Sequence, residues 1–272
     1  MKNNWTGERL ETYIYSKDSI DHLHRYSIVS NYIEGKIVLD IASGEGYGSN
    51  IISEKAKFVY GVDIDETSIK DAKLKYKKDN LKFLVGSTSS IPIEDHSVDV
   101  VISFETIEHH DEHIEMINEI ERVLRPNGLL IISTPDKKNY TDKRNFVNRF
   151  HVKELYKQEF LDLISQNFNS IQLLTQKYVN GNSIIQEDIL ESEIQIFSGN
   201  FSSVSSVIID PFYLIVIASN GLFERQRTTI FDGTDIIQTE FNNRVNEVYR
   251  SNSYKLGHLI LSPFKSLKKI LK

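Results

Sequence analysis

Acids, glycines and histidines recur in this chain just after short apolar runs. Ile37 to Ala42 carries Asp40 and passes into Gly44, Gly46 and Gly48. Phe58 to Val62 ends on Asp63-Ile64-Asp65, and Leu81 to Val85 ends on Gly86-Ser87-Thr88. Val98 to Ser103 runs into Phe104-Glu-Thr-Ile-Glu-His-His110. An apolar run, a glycine turn and a helix-compatible stretch from Tyr47 to Lys57 make a strand, a tight turn and a helix N-terminus. An α/β sheet holds nucleotide-like ligands at such a place. Glycine there supplies positive φ and lets the backbone approach a ligand closely. Asp63, nineteen positions after Gly44, can accept hydrogen bonds from both hydroxyls of a ribose. It could instead cap the helix expected over Glu66 to Lys78, although Asp65 is better placed for that cap. His109 and His151 are the candidate general bases, because imidazole titrates near neutral pH. Glu105 and Glu108 stand beside His109, where a carboxylate can orient an imidazole or hold ligand hydroxyls.

The elements that must position these groups follow from the pattern of the chain. Ser19 to Tyr32 has helical spacing and reads as a helical flap ahead of the first strand, with His22, His24, Arg25 and Tyr26 crowded on it. Helices are expected over Asp111 to Leu124 and Lys153 to Phe168, and strands over Leu129 to Ser133, Ser170 to Thr175 and Tyr213 to Ala218. Some thirty-five residues separate the last two strands, which is long for a plain hairpin. Residues 177–210 therefore read as an insertion near the site's mouth. The expected architecture is an α/β Rossmann-like, seven-stranded, mostly parallel sheet with helices on both faces. Residues 1–36 form the flap, 37–219 the main domain, and 220–272 a helical C-terminal tail. From Arg250 onward there are five lysines and no acid, with Leu256, Leu259, Ile260, Phe264, Leu267 and Leu271 interleaved. Such a basic amphipathic segment, 255–272, suits peripheral contact with an anionic membrane face, or docking on its own domain or a second subunit.

Composition sets the outer limits. At 272 residues the chain can bury one α/β core and carry additional segments. The net charge of −6 gives no reason to expect nucleic-acid binding. With no cysteine, disulfides and thiolate metal sites are excluded. Neither a secretory h-region nor an apolar run of roughly eighteen residues is seen, so the expected location is cytoplasmic.

The loop Gly44-x-Gly46-x-Gly48 departs from the dinucleotide pattern G-x-G-x-x-G. Asp40-x-x-x-Gly44-x-Gly46 instead resembles motif I of the class I S-adenosylmethionine methyltransferases (type 11-like). Leu124-Arg-Pro-Asn-Gly-Leu-Leu-Ile-Ile-Ser-Thr-Pro135 resembles that family's motif III. Residues 37–135 carry the resemblance. The flanks Trp5-Thr-Gly-Glu-Arg-Leu10, His22-Leu-His-Arg-Tyr26 and Phe150-His-Val-Lys-Glu-Leu155 resemble a bacterial subgroup often met beside glycosyltransferases. The tail, with Ser253-Tyr-Lys-Leu-Gly and Ser262-Pro-Phe264, resembles the ends of glycan-assembly enzymes.

The resemblance implies S-adenosylmethionine held by Arg25, Asp40, Ala42, Gly44, Gly46, Tyr47, Asp63, Ile64, Ser87, Thr88 and Phe104. Many members place an aspartate where Ser87 stands, so the adenine contact here falls to Ser87, Thr88 or the backbone. The implied activity is O-methylation of a sugar hydroxyl in a glycan or glycosylated metabolite. The alternatives are a lipid, quinone-like or secondary-metabolite acceptor, or a non-catalytic binding module. His109 and His113, four apart on an expected helix, could share a divalent metal with Glu105 or Asp111. Magnesium prefers carboxylates, so no metal is assigned.

Overall fold

The structure, a computed structural model, describes residues 10–189 and 194–260. The expectations placed on Trp5 to Arg9 and on 261–272 lie outside the described residues. The chain runs through α1 (Lys17–Val29), β1 (Ile37–Ile41), α2 (Tyr47–Ile52), β2 (Phe58–Asp63), α3 (Glu66–Lys75) and β3 (Leu81–Val85). It continues through β4 (Val98–Phe104), a 3₁₀ turn at Ile107–His109, α4 (His113–Val123), β5 (Leu124–Pro135), α5 (Lys157–Ser165) and β6 (Ser170–Val179). Then follow β7 (Asn182–Glu187), β8 (Ile196–Asn200), β9 (Ser203–Val207), β10 (Tyr213–Ser219), β11 (Thr229–Asp232) and α6 (Thr234–Arg250).

The main sheet has the order β11-β7-β6-β10-β5-β4-β1-β2-β3. β1 to β5 pair in parallel. β10 inserts antiparallel between β5 and β6, and β7 and β11 extend the edge in antiparallel fashion. The chain leaves β1 toward β2 and β3 on one side and returns through β4 and β5 on the other. The carboxyl ends of β1 and β4 therefore flank the crevice where such sheets bind ligands.

Alternate side chains feed two cores, as a sheet covered on both faces requires. Leu39, Ile41 and Val101 pack with Ile117 and Ile120 of α4 and Phe160 of α5. Val38, Val100 and Ile102 pack with Val29 of α1, Ile52 of α2 and Ile69 of α3.

The sheet has nine strands among the described residues, where seven were expected. One extra strand comes from the presumed insertion. Asn180 and Gly181 both take positive φ (45° and 90°), the two-residue turn that Asn-Gly favours between paired strands. β6 and β7 are thus a hairpin along the sheet edge, and β8 with β9 make a separate hairpin. The other extra strand, β11, falls in the stretch expected to be wholly helical. α6 follows it, 252–260 are helical as well, and α6 buries none of its residues. α1 is fixed by packing: a capping box joins Ser16 and Ser19, and Ile20, Arg25, Tyr26 and Val29 are buried.

Candidate active site

A cavity of about 630 Å³ opens over the carboxyl ends of β1, β2 and β4, within the size range of ligand pockets. Two non-glycine residues beside it take left-handed backbone, Ala42 after β1 (φ 60°) and Glu105 after β4 (φ 51°). Such strain persists where the surroundings over-determine it, and it clusters at functional sites.

At one end the chain turns through Gly44 (φ 54°) and Gly46 (φ 81°), which is the N-cap of α2. A side chain at Gly46 would also collide with Phe83, 2.7 Å from the nearest ring atoms. The Gly44 amide donates to Asp63 Oδ2 (2.8 Å), and the Asp65 amide donates to Asp63 Oδ1 (2.9 Å). Asp63 therefore ties the β1 loop to the tip of β2 while its carboxylate borders the cavity. Asp65 is the cap of α3, accepting from the amides of Thr67 and Ser68. Ile64 is 70% exposed and lines the cavity, a free apolar surface beside Asp63. Ala42, Gly44, Tyr47, Ser87, Thr88 and Phe104 line it too. Ser87 Oγ and Ser89 Oγ lie 3.1 Å apart, and Thr88 Oγ1 meets His110 Nε2 at 3.3 Å.

Three expected cofactor contacts, Gly46, Asp40 and Arg25, do not line the cavity; Gly46 turns the loop against Phe83. Asp40 is buried behind the loop, accepting from Ser49 Oγ (2.6 Å) and Tyr26 Oη (3.3 Å). It braces the loop from below. Burial raises its pKa to about 7, with the Ser49 and Tyr26 hydrogen bonds opposing the shift and the Asp63 charge adding to it. Arg25 is fully buried and lines no part of the cavity; its Nη1 donates to Gln176 Oε1 (2.7 Å) and lies 3.6 Å from Glu105 Oε1. The α1 residues that do line the cavity are Asp18, His22 and Tyr26, and His22 Nδ1 meets Tyr47 Oη at 2.9 Å. The helical spacing of α1 placed four polar groups together, and only its packing decides which turns outward.

The other end is built from side chains on the segment after β4 and on residues 148–154. Glu105 accepts from Ser133 Oγ (2.6 Å), and burial raises its pKa despite the neighbouring Arg25. Glu108 is fully buried; its Oε2 accepts from Thr134 Oγ1 (3.1 Å), while no hydrogen-bond partner reaches Oε1. Burial, then the Glu105 charge, pushes the Glu108 carboxyl well above its usual range. The Glu108 carbonyl accepts from the amides of Val152 and Lys153 (2.8 and 3.1 Å), which pins the second segment against the first.

That pinning brings His109 and His151 together, with ring centroids 5.2 Å apart. His109 Nδ1 faces the Phe150 carbonyl (3.0 Å), so it carries the proton and Nε2 is the acceptor nitrogen. His151 Nδ1 faces Glu154 Oε1 (2.5 Å), and the Asn148 amide nitrogen donates to its Nε2 (2.8 Å). Asn148 Oδ1 accepts from the Phe150 amide, which fixes the direction of that amide. Tyr140 stacks on the His151 ring. Glu154, Asn148 and Tyr140 were not foreseen. The spacing of His151 and Glu154 was the available signal for the first, whereas the other two depend on how 136–155 folds back.

The His109–His113 pairing that helical spacing would allow does not form. His109 belongs to the 3₁₀ turn and α4 begins at His113, so helical i, i+4 spacing does not apply. His113 Nε2 is taken by the His110 carbonyl (2.8 Å). The grouping that does form is Glu108, His109 and His151, whose ligand atoms lie within 4.8 Å of one another. None of the described residues of 177–210 lines the cavity.

Comparison with known proteins agrees with this geometry. Residues 39–132 match the methyltransferase-domain family. A probable S-adenosylmethionine-dependent methyltransferase of Mycolicibacterium smegmatis is 34% identical over 140 residues, covering 51% of this chain and 54% of the relative. A phthiotriol/phenolphthiotriol dimycocerosates methyltransferase of Mycobacterium ulcerans is 28% identical over 151 residues, 52% of each chain. The chain thus spans about half the length of these curated relatives. The crystal structure of the YcgJ protein from Bacillus subtilis superposes with a TM-score of 0.57 at 17% identity, covering 74% of this chain and all of that one. At that identity the likeness concerns the fold, a Rossmann-like α/β sheet. Residues 39–132 are thus similar to a methyltransferase domain, and the similarity implies S-adenosylmethionine as the cofactor.

Proposed function

We propose that this protein transfers the methyl group of S-adenosylmethionine to a sugar hydroxyl in a glycan or glycosylated metabolite. The observation that carries this reading is the polarity of the cavity beyond the glycine loop. Glu105, Glu108, His109, Asn148 and His151 crowd the end facing the β4 segment, a set suited to hydroxyl groups and poorly suited to an alkyl chain. On this reading Asp63 holds the ribose, Ile64 lies against adenine, Ser87 and Thr88 meet its edge, and the Gly44–Gly46 loop carries the amino-acid portion.

The cofactor supplies an electrophilic sulfonium methyl, so the protein contributes orientation, a dry pocket and removal of the acceptor proton. A hydroxyl is a weak nucleophile, and assistance from the Glu108–His109–His151 group should raise the rate by ~10²–10⁴-fold. Glu105, braced by Ser133 and Arg25, orients the acceptor.

A second reading, a lipid alcohol, is favoured by the name of the Mycobacterium ulcerans relative and by the β8–β9 hairpin, on which Phe201 and Val204 are exposed and no residue from 196 to 209 is charged. Radiolabelled S-adenosylmethionine offered with nucleotide sugars, oligosaccharides and lipid alcohols separates the two. Label in the saccharides supports the first reading, and label confined to lipid, protein or RNA overturns it.

The basic segment 255–272 is proposed to touch an anionic membrane surface. No described helix is long and apolar enough to cross a membrane. Liposome flotation of the full chain against residues 1–250 tests this, and equal flotation of the two removes it.

A further inference from the structure

We propose that Glu108, His109 and His151 form a site for a divalent transition-metal ion, on which the acceptor hydroxyl is bound and deprotonated. This rests on the reading of that end of the cavity as the acceptor side.

Three independent features point to a cation. The first is the grouping itself: one carboxylate and two imidazoles, with ligand atoms within 4.8 Å of one another, lining the cavity. A cation at roughly 2.0–2.2 Å from each ligand would draw them in by about 1 Å, which rotation of the two imidazoles can supply. The second is Glu108 Oε1, a fully buried carboxylate oxygen with no hydrogen-bond partner, 3.9 Å from His109 Nε2. Burying a carboxylate oxygen without a partner is costly, and a cation between it and the imidazole removes that cost. The third is the outer ring of contacts. A metal-binding histidine almost always donates its other N–H to a carboxylate or backbone carbonyl, which sets the tautomer and raises the ligand's basicity. Both histidines do this, His109 through Nδ1 to the Phe150 carbonyl and His151 through Nδ1 to Glu154. On both rings that leaves Nε2 as the nitrogen able to ligate a cation. In the metal-free arrangement the Asn148 amide holds His151 Nε2, a single neutral hydrogen bond that a cation displaces.

The ligand chemistry narrows the ion. Two imidazoles with one carboxylate favour manganese, cobalt, iron or zinc over magnesium or calcium, which take oxygen ligands. Three protein ligands leave positions open for an acceptor oxygen. In the proposed step that oxygen binds the cation and its O–H bond breaks, the proton passing to the Glu105 carboxylate. The O–CH₃ bond then forms as the S–CH₃ bond breaks, with the electron pair staying on sulfur. The cation changes neither oxidation state nor number.

The test uses the tag-free full chain, stripped with EDTA and titrated with cobalt(II), read by d–d absorption. The expected result is one cobalt per chain, bound at least tenfold more weakly by Glu108→Gln and by His151→Gln. Calorimetry with S-adenosylhomocysteine should give unchanged affinity in all three proteins, showing that the variants fold and that the cofactor reading stands independently. Methyl transfer should fall on stripping and return with cobalt, manganese or zinc. Cobalt binding equal in wild type and both variants, or absent from wild type, overturns the site. Full transfer after stripping overturns the assigned step while leaving the methyltransferase reading intact.

Discussion

The two ends of the cavity are built from different materials. At the proposed cofactor end main chain does most of the shaping: Ala42, Gly44 and Gly46 hold positive φ, and Asp63 takes two backbone amides. At the proposed acceptor end side chains are held by other side chains or by distant carbonyls. Glu108 leans on Thr134, His109 on Phe150 and His151 on Glu154. Main-chain shape is set by local sequence and suits a ligand that does not vary. A side-chain lattice spread over residues 105–154 can change its specificity one contact at a time.

Four expected outcomes test that contrast, from the largest effect downward. His109→Ala should lower kcat by ~10²–10⁴-fold while leaving S-adenosylhomocysteine affinity, measured by calorimetry, within about twofold of wild type. A full kcat would show that the acceptor end works without this imidazole.

The second concerns the brace under the loop. The folded pKa of Asp40, about 7, stands above its ordinary 3.8. The folded chain therefore binds a proton that the unfolded chain has released between those values, and stability falls as pH rises through that window. The contribution is fully present below about pH 4 and is lost as pH rises through about 7. Three pKa units correspond to about 4 kcal/mol, an upper figure. Urea midpoints of the ligand-free protein between pH 4.5 and 8 should show the decline, and Asp40→Asn should flatten it. Parallel profiles for the two proteins would remove Asp40 as the cause.

Third, Asp63→Ala should weaken S-adenosylhomocysteine binding by roughly 1.5–3 kcal/mol for each charge-assisted bond lost, with kcat at saturating cofactor near normal. Affinity equal to wild type would leave Asp63 a purely structural tie. The smallest effect is expected from Thr134→Val, which removes the hydroxyl donor to Glu108. A loss of about 1 kcal/mol should appear as a several-fold drop in kcat with unchanged cofactor affinity. An effect on cofactor affinity instead would join the two ends that the contrast separates.

The same contrast explains what could be read from sequence. The loop, the acid at the tip of β2 and the order of β1 to β5 are local patterns, and the strand expected over Leu81 to Val85 matches β3 at both ends. Asp65 could be preferred as the cap because capping needs only the next three residues. Asp40 was placed correctly along the chain but not in depth, since its partners Tyr26 and Ser49 come from other elements. Arg25 failed for the same reason: its position is settled by Gln176, far along the chain. The nine-stranded sheet was missed although Asn180-Gly181 signals a hairpin, because the long interval to β10 looked like an insertion. His109 was singled out from the sequence and lines the cavity, but its pairing with His151 depends on amides of 152 and 153 bonding back to residue 108. No spacing in the sequence records that contact.

The most direct test of the central claim is the fate of a carbon-13 methyl group on S-adenosylmethionine. Incubated with the full chain and a saccharide acceptor, the label should appear as an O-methyl carbon resonance attached to a sugar, with one S-adenosylhomocysteine formed per methyl transferred. A labelled N-methyl or C-methyl product, or bound cofactor that never transfers its label to an oxygen, would contradict the account.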